Sequence, residues 1–428
     1  MKTIVLVNPP LTGEEKYGAL SGGGAYLPPL GVAILAAVIR DRGYRPVILD
    51  FEGKETVGLN NAVAEILKHK PDALGITAAT VAIFKAAELA EKFKKKSSVP
   101  VIIGGPHISA VPRETMDLFP DFDFGVIGEG EETLPELLDT LTNCPGSLPL
   151  DEIRGVIFRR NSDDQKLVVN EKRLHIIDLD KIPFPAWDLL PDLKNYYRPQ
   201  VFGFKQWPVA SIITSRGCFG KCTFCDRTVS GSRLRFHSAD YVMGMIKELY
   251  HHYGIRDLII YDDCFLVNKK RINEFYLKMK QENLKLTWHS NGRIDTVTPE
   301  ILRKMKEIGC WQIAYGIESG SQQILDSINK NISLEKVKEV FKWTKQANIK
   351  IKCYFIIGLL KDTRETIEET KNFILNNDFD ILSLNHFTPF PNTWDYEHAD
   401  NYGDFHKDWR LLNQHNPVFI PQGVTKDY

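Results

Sequence analysis

Strand-like and helix-like segments alternate along most of this chain, and that alternation limits the fold more than any other feature. Short apolar runs at residues 3–8, 46–50, 73–77, 101–104 and 124–127 are separated by helical patterns at 30–42, 59–68, 82–95 and 131–141. Gly43 ends the first of these helices as a C-terminal glycine stop does. Five strands linked through helices predict a parallel sheet covered on both faces, the doubly wound α/β arrangement. The alternation resumes from residue 207, with strand candidates at 209–214, 257–261, 286–290, 311–316, 350–357 and 381–387. Helical stretches at 238–253, 269–280, 299–308, 334–346 and 364–376 lie between them. Six such units predict a partial (β/α)6 barrel of the TIM type, with its chemistry at the C-terminal ends of the strands. The prolines between the two regions, with a hairpin-like pair at 155–160 and 166–170, indicate a linker carrying a small β element. The expected division is therefore 1–143, a linker at 144–206, a barrel at 207–400 and a tail at 401–428.

Composition narrows the class of function. Lys plus Arg number 54 against 55 Asp plus Glu, which argues against bulk nucleic-acid coating. No apolar run is long enough for a spanning helix, and Pro9-Pro10 cuts short the apolar start, so a cytoplasmic protein is expected. Seven cysteines without an export signal do not suggest a disulfide framework. Three of them, Cys218, Cys222 and Cys225, fall within eight residues directly after a strand candidate. A strand alternates its side chains, so thiols at this spacing converge only from a loop, which Gly217 and Gly220 make possible. Soft thiolates select zinc or iron–sulfur. A 4Fe–4S cube normally takes four cysteines, so three leave one iron open. Zinc would need a fourth ligand, and His237 stands twelve residues beyond Cys225.

Other chemistry-bearing residues close the barrel strands. Asp262-Asp263-Cys264-Phe265 ends the second, where the acidic pair either orients a ligand or caps the next helix. Arg293 ends the third and suits a carboxylate partner. Cys264 is the candidate for a catalytic thiol, against the commoner role of cysteine as a small buried apolar residue.

The pattern Cys218-x3-Cys222-x-Phe224-Cys225 resembles the signature of the radical S-adenosylmethionine (radical SAM) enzymes. The resemblance implies that the open iron chelates S-adenosylmethionine, which the reduced cluster splits to a 5′-deoxyadenosyl radical. An external donor such as a flavodoxin or ferredoxin would supply the electron. By the same resemblance Glu318 and Ser319, in Gly316-Ile317-Glu318-Ser319-Gly320-Ser321, contact the cofactor. Gly358 then stands near adenine, and Pro389 lies in a stretch close to the family's Pro-Phe-Pro-Gly-Thr. Phe224, Asp262 and Arg293 complete the expected S-adenosylmethionine contacts. A plain strand-to-helix turn is the alternative for the Glu318 segment.

The first 143 residues resemble the cobalamin-binding domains that precede many radical SAM barrels. The matching stretches lead into the first long helix (Tyr26, Leu30) and follow the third strand (Thr77, Thr80), the fourth (Gly104, Gly105, His107) and the fifth (Gly128, Glu129, Gly130, Glu131). Pro9 and Pro10, after the first strand, are included. All stand at strand C-termini, where open α/β sheets bind ligands. The Asp-x-His-x-x-Gly motif of many cobalamin domains is absent, and residues 9–29 contain no histidine. Cobalamin held without a histidine below the cobalt, the His-off mode, is therefore expected. Tyr17 or Tyr26 would shield the lower face, and His107 would act as a hydrogen-bonding residue. The alternative is a sheet without cofactor.

Together these resemblances imply methyl transfer to an unactivated carbon, or to phosphorus, through the radical and a cobalamin-carried methyl group. A non-methylating cyclase or rearrangement enzyme of the same architecture is the first alternative. A zinc-stapled nucleic-acid-binding module is the second, disfavoured by the charge balance. A methylthiotransferase would carry a second three-cysteine set, and the region before the barrel has only Cys144. The substrate class stays open among small molecules, lipids and peptides.

Overall fold

The computed structural model describes residues 1–52, 57–142, 144, 146–160, 166–200 and 202–425. Asn143 and Pro145, at the expected linker start, and residues 426–428 of the expected tail lie outside the described residues.

The first sheet runs through β1 (Thr3–Asn8), β2 (Arg45–Asp50), β3 (Ala73–Thr77), β4 (Val101–Gly104), β5 (Phe124–Val126), β6 (Val156–Arg159) and β7 (Leu167–Val169). Its order is β2-β1-β3-β4-β5-β6-β7. The first five strands are parallel, as expected, and the chain reverses direction across the sheet between β1 and β3, which opens a crevice at their C-terminal ends. The hairpin expected in the linker is present, but it pairs antiparallel onto β5 and extends this sheet. Gly125 makes the join possible, because a Cβ there would lie 2.6 Å from the Ile157 side chain. The connecting helices are α1 (Gly13–Tyr17), α2 (Leu30–Asp41), α3 (Leu59–Lys68), α4 (Ile83–Lys94), α5 (Pro106–Ala110), α6 (Pro112–Leu118) and α7 (Gly130–Leu141).

The second sheet contains β8 (Val209–Ile212), followed by the two-residue strands β9 (Ser215–Arg216) and β10 (Arg235–Phe236), which pair only with each other. It continues with β11 (Asp257–Ile260), β12 (Thr287–Gly292), β13 (Cys310–Glu318), β14 (Lys350–Ile357) and β15 (Ile381–His386). The order β15-β14-β13-β12-β11-β8 is sequential and wholly parallel, the partial six-stranded barrel that the alternation predicts. The main helices around it are α8 (Ala239–His251), α9 (Lys269–Glu282), α10 (Pro299–Glu307), α11 (Gln322–Ser327), α12 (Leu334–Gln346) and α13 (Arg364–Leu375), followed by the short α14 (Trp394–His398). Side chains from α2 and one face of the first sheet join the barrel residues in a single buried apolar cluster. The other face of that sheet, under α3 and α4, forms a separate cluster.

The expected tail is docked. β16 (Gly403–Phe405) and β17 (Phe419–Pro421) form an antiparallel hairpin whose Phe405 and Phe419 are buried. Phe419 meets Phe387 edge-on, and Trp409 meets His107 of the first domain edge-on at 4.4 Å between ring centres. Among the described residues no helix is long and apolar enough to cross a membrane.

Candidate functional site

The three cysteines lie on a loop that β9 and β10 clamp at its base. At its start Gly217 has φ +90°, and a Cβ there would fall 2.3 Å from the Arg233 carbonyl oxygen, so only glycine fits. The Thr223 N–H donates to the Ile328 carbonyl at 3.1 Å and ties the loop to the segment behind β13. Cys222 is buried, Cys218 half-buried, and Cys225 opens into a cavity. Ligation needs thiolates. A hydrogen bond from the Cys264 thiol, 3.5 Å away, lowers the Cys218 pKa, with further lowering from Arg293 and Lys330. Burial raises the Cys222 pKa, and the same two cations oppose it. Burial pushes Cys225 up to about 12. Arg293 packs over the Phe219 ring at 4.8 Å and pairs with Asp295. It therefore stands behind the cysteine loop as a source of positive potential. The Cys264 pKa is raised, chiefly by its bond to Cys218, so its thiol is not a poised nucleophile.

A single zinc needs four ligands around one point. Among the described residues no three His, Cys, Asp or Glu side chains, the loop cysteines included, converge on a single metal position, so the zinc reading turns on its fourth ligand. The expected fourth ligand, His237, hydrogen-bonds Asp180 at 3.1 Å and stacks on Tyr241.

The cavity beside Cys225 measures about 620 Å³ and lies inside the barrel. Phe224 and Glu318 line it as expected. Glu318 sits at a register shift between β13 and β14 with φ +73°, a left-handed backbone that costs energy in a residue with a side chain. Its carboxylate meets Lys330 Nζ at 2.6 Å. Five expected S-adenosylmethionine contacts do not line this cavity: Arg293, turned to the Phe219 ring and Asp295, and the four that follow. Asp262 is fully buried, accepting from the Thr214 N–H and hydroxyl and from the Ser215 hydroxyl. Ser319 accepts from the Ser321 N–H and bonds the Thr370 hydroxyl. The Gly358 N–H is already taken by Asp362. Pro389 is buried between Thr388 and Phe390, and it is those two neighbours that reach the cavity.

A second cavity of about 530 Å³ separates the two sheets' C-terminal edges. Of the expected cobalamin contacts, Leu30, Thr77, Gly104, Gly105, Gly128, Glu129, Gly130 and Glu131 line it. Gly105 has φ +101°, and a Cβ there would meet Thr77 Oγ1 at 2.8 Å. At Gly104 a Cβ would meet nothing within 4 Å. Glu129 pairs with Arg216 and Arg235, and Glu131 with Arg216, so these acids bind the domains together. Burial opposes the charge on Glu129, but the two arginines hold its pKa below the usual value.

The remaining cobalamin candidates turn elsewhere. His107 is fully buried, bonded to the Thr80 hydroxyl at 3.2 Å, and burial lowers its pKa to about 3. Thr80 is thereby committed to His107. Pro9 and Pro10 are buried below the cleft, and Tyr26 exchanges backbone hydrogen bonds with Arg198. Tyr17 lines the barrel cavity and donates to the Ala25 carbonyl. On the barrel side the cleft is lined by Arg216, His237, Tyr261 and Asp263, which the sequence reading did not assign to it. A signal was available at the end of β11: residues two apart share a face, so a buried Asp262 leaves Tyr261 and Asp263 facing the cleft.

Residues 212–374 match the radical SAM superfamily, and residues 21–138 match the B12 binding domain. An uncharacterized methyltransferase of Pyrococcus horikoshii is 34% identical over 99% of this chain and 89% of its own length. The chain belongs to the cobalamin-dependent radical SAM methyltransferase class. The anaerobic magnesium-protoporphyrin IX monomethyl ester cyclase of Cereibacter sphaeroides is 27% identical over 93% of this chain. The chain spans 64% of that cyclase's length. The fold matches the radical S-adenosylmethionine methyltransferase TsrM of Kitasatospora setae, solved with cobalamin and a [4Fe-4S] cluster, with a TM-score of 0.74 and 16% identity. That match covers 94% of this chain and 75% of TsrM. Enzymes of this class use a 4Fe–4S cluster, S-adenosylmethionine and cobalamin. The residues present fit all three. Three thiols share one loop under two cations, a carboxylate lies beside them in the barrel cavity, and a glycine-lined cleft faces them.

Proposed function

We propose that this enzyme transfers a methyl group to an unactivated carbon, or a phosphorus, of a substrate held in the barrel cavity. One observation carries the reading: Tyr261 lines both the barrel cavity and the interdomain cleft, so the two spaces meet at a single side chain. When bound, the cluster with S-adenosylmethionine supplies hydrogen abstraction, and cobalamin supplies the methyl group. In this reading Cys218, Cys222 and Cys225 hold the cluster while Arg293 and Lys330 favour the thiolate forms of Cys218 and Cys222, and Arg227 that of Cys225. Glu318 receives the ammonium or ribose hydroxyls of S-adenosylmethionine, with Lys330 fixing its orientation. Gly104, Gly105 and Thr77 accommodate the nucleotide tail of cobalamin. Methyl-labelled S-adenosylmethionine tests the reaction: S-adenosylhomocysteine should form together with 5′-deoxyadenosine. Formation of 5′-deoxyadenosine alone favours the second reading, a non-methylating reaction like that of the cyclase relative.

Glu318→Gln should weaken S-adenosylmethionine binding about tenfold, roughly 1.4 kcal/mol, with iron content retained. Equilibrium dialysis reads the affinity, and an unchanged value removes Glu318 from the cofactor site.

We infer that cobalamin is held His-off. Among the described residues the first domain contributes no histidine to the cleft, and α2 presents Leu30, Ile34 and Leu35 there. His237, the histidine on the barrel side, is engaged by Asp180. The EPR spectrum of bound Co(II) should lack nitrogen superhyperfine splitting, and its appearance contradicts this assignment.

A further inference from the structure

The floor of the barrel cavity, at the N-terminal ends of the strands, carries polar groups that the mechanism above does not use. Lys352 on β14 opens into this cavity, and its ammonium finds an amide oxygen, Gln200 Oε1 at 3.3 Å, but no carboxylate among the described residues. The other charged walls are matched: Glu318 by Lys330, and Asp226 by the Thr228 N–H. Beside Lys352, on β12 and β13, are His289 and Gln312, which pair directly in register. His289 is 9% exposed and Gln312 1%, and each has a buried side-chain atom without a partner, Nδ1 and Oε1 respectively. Burying polar atoms without partners is costly, and such atoms are satisfied by what binds beside them. Desolvation lowers the Lys352 pKa, with no anion opposing it.

We propose that this floor is an anion subsite, in which Lys352, flanked by His289 and Gln312, receives a carboxylate or phosphoryl group of the substrate. The inference rests on reading the barrel cavity as the reaction chamber, and it adds a substrate class. Three residues of β14, about 10 Å of strand, separate Lys352 from the level of Glu318, and His289 and Gln312 lie further toward the N-terminal ends. An anion on the floor therefore belongs to the end of the substrate remote from the reacting atom. The ammonium supplies the charge, His289 Nδ1 can donate in one tautomer, and Gln312 Oε1, an acceptor, suits a hydroxyl of the bound group, so an oxyanion of either kind is preferred to an uncharged end.

The test titrates pyrophosphate and glutarate separately into the reconstituted full chain, followed by calorimetry without air. At least one probe should bind wild type saturably, with affinity falling tenfold or more in Lys352→Met and largely recovering in Lys352→Arg. Recovery in Lys352→Arg distinguishes a lost charge from a damaged fold. Binding of pyrophosphate alone assigns a phosphoryl group, binding of glutarate alone a carboxylate, and binding of both an unselective oxyanion site. Absence of binding by both probes to wild type, or equal binding to Lys352→Met, overturns the proposal. Release of 5′-deoxyadenosine, measured on the same wild-type preparation, reports separately on the radical reading. Anion binding without nucleoside release leaves the subsite and removes that reading; nucleoside release without anion binding does the reverse.

Discussion

Replacing Cys218, Cys222 and Cys225 together with alanine should reduce iron from about four atoms per chain to near zero and abolish 5′-deoxyadenosine release. The loss should be nearly complete because no other set of thiols is available. Among the described residues Cys310 and Cys353 are buried in barrel strands, and Cys144 lies at the far end of α7. Cys264 lies against Cys218 but is one thiol, and its raised pKa makes it a poor ligand. The fold should survive the substitution. The loop is held by the β9–β10 pair, the Thr223–Ile328 hydrogen bond and the salt bridges of Arg216, none of which uses a cysteine side chain. Metal analysis and visible absorbance on anaerobically reconstituted protein measure the effect. Retained iron and cluster absorbance contradict the ligand assignment, and one zinc per wild-type chain without sulfide contradicts the cluster itself.

Gly104→Phe should lower cobalamin content at least tenfold while leaving iron content and secondary structure near wild type. Gly104 ends β4 at the cleft, and a Cβ there meets nothing within 4 Å, so a side chain leaves the backbone unhindered and its ring enters room the cofactor needs. A cavity of about 530 Å³ has little space to share with an aromatic ring. Gly105 is a contrasting control. A Cβ there meets Thr77 Oγ1 and the Ala78 carbonyl at 2.8 and 2.9 Å on a left-handed backbone, so Gly105→Ala should reduce stability as well as binding. Absorbance of extracted cobalamin reads the first effect, and thermal unfolding reads the second. Full cobalamin content in Gly104→Phe places the cofactor elsewhere.

Strand and helix order were legible in the sequence because β1–β5 and the six barrel strands are parallel and joined through helices, which yields apolar runs separated by amphipathic helices. The cysteine loop was legible because metal ligation fixes residue type and spacing together. What the sequence did not reveal depends on which way a side chain turns. Asp262 and Asp263 are adjacent acids, yet one is buried under Thr214 and the other faces the cleft. His107 follows two cleft-lining glycines but points into the packing around Trp409, a contact with a residue some three hundred positions away. The segment around Trp409 looks aperiodic because its strands are only three residues long, and its order comes from aromatic contacts with other elements. Alternation at the end of β11 turns Tyr261 toward the cleft, but its place between the two cavities comes from the docking of one sheet edge on the other.

We propose that the Cys218–Cys225 loop holds an open-sited cluster that splits S-adenosylmethionine inside the barrel. The most direct test is a count of 5′-deoxyadenosine after wild-type protein, reconstituted without air to about four irons per chain, is mixed with S-adenosylmethionine and a strong reductant. Nucleoside release that requires both the reductant and the cluster is the predicted result. Fully loaded protein that releases none under these conditions contradicts the account.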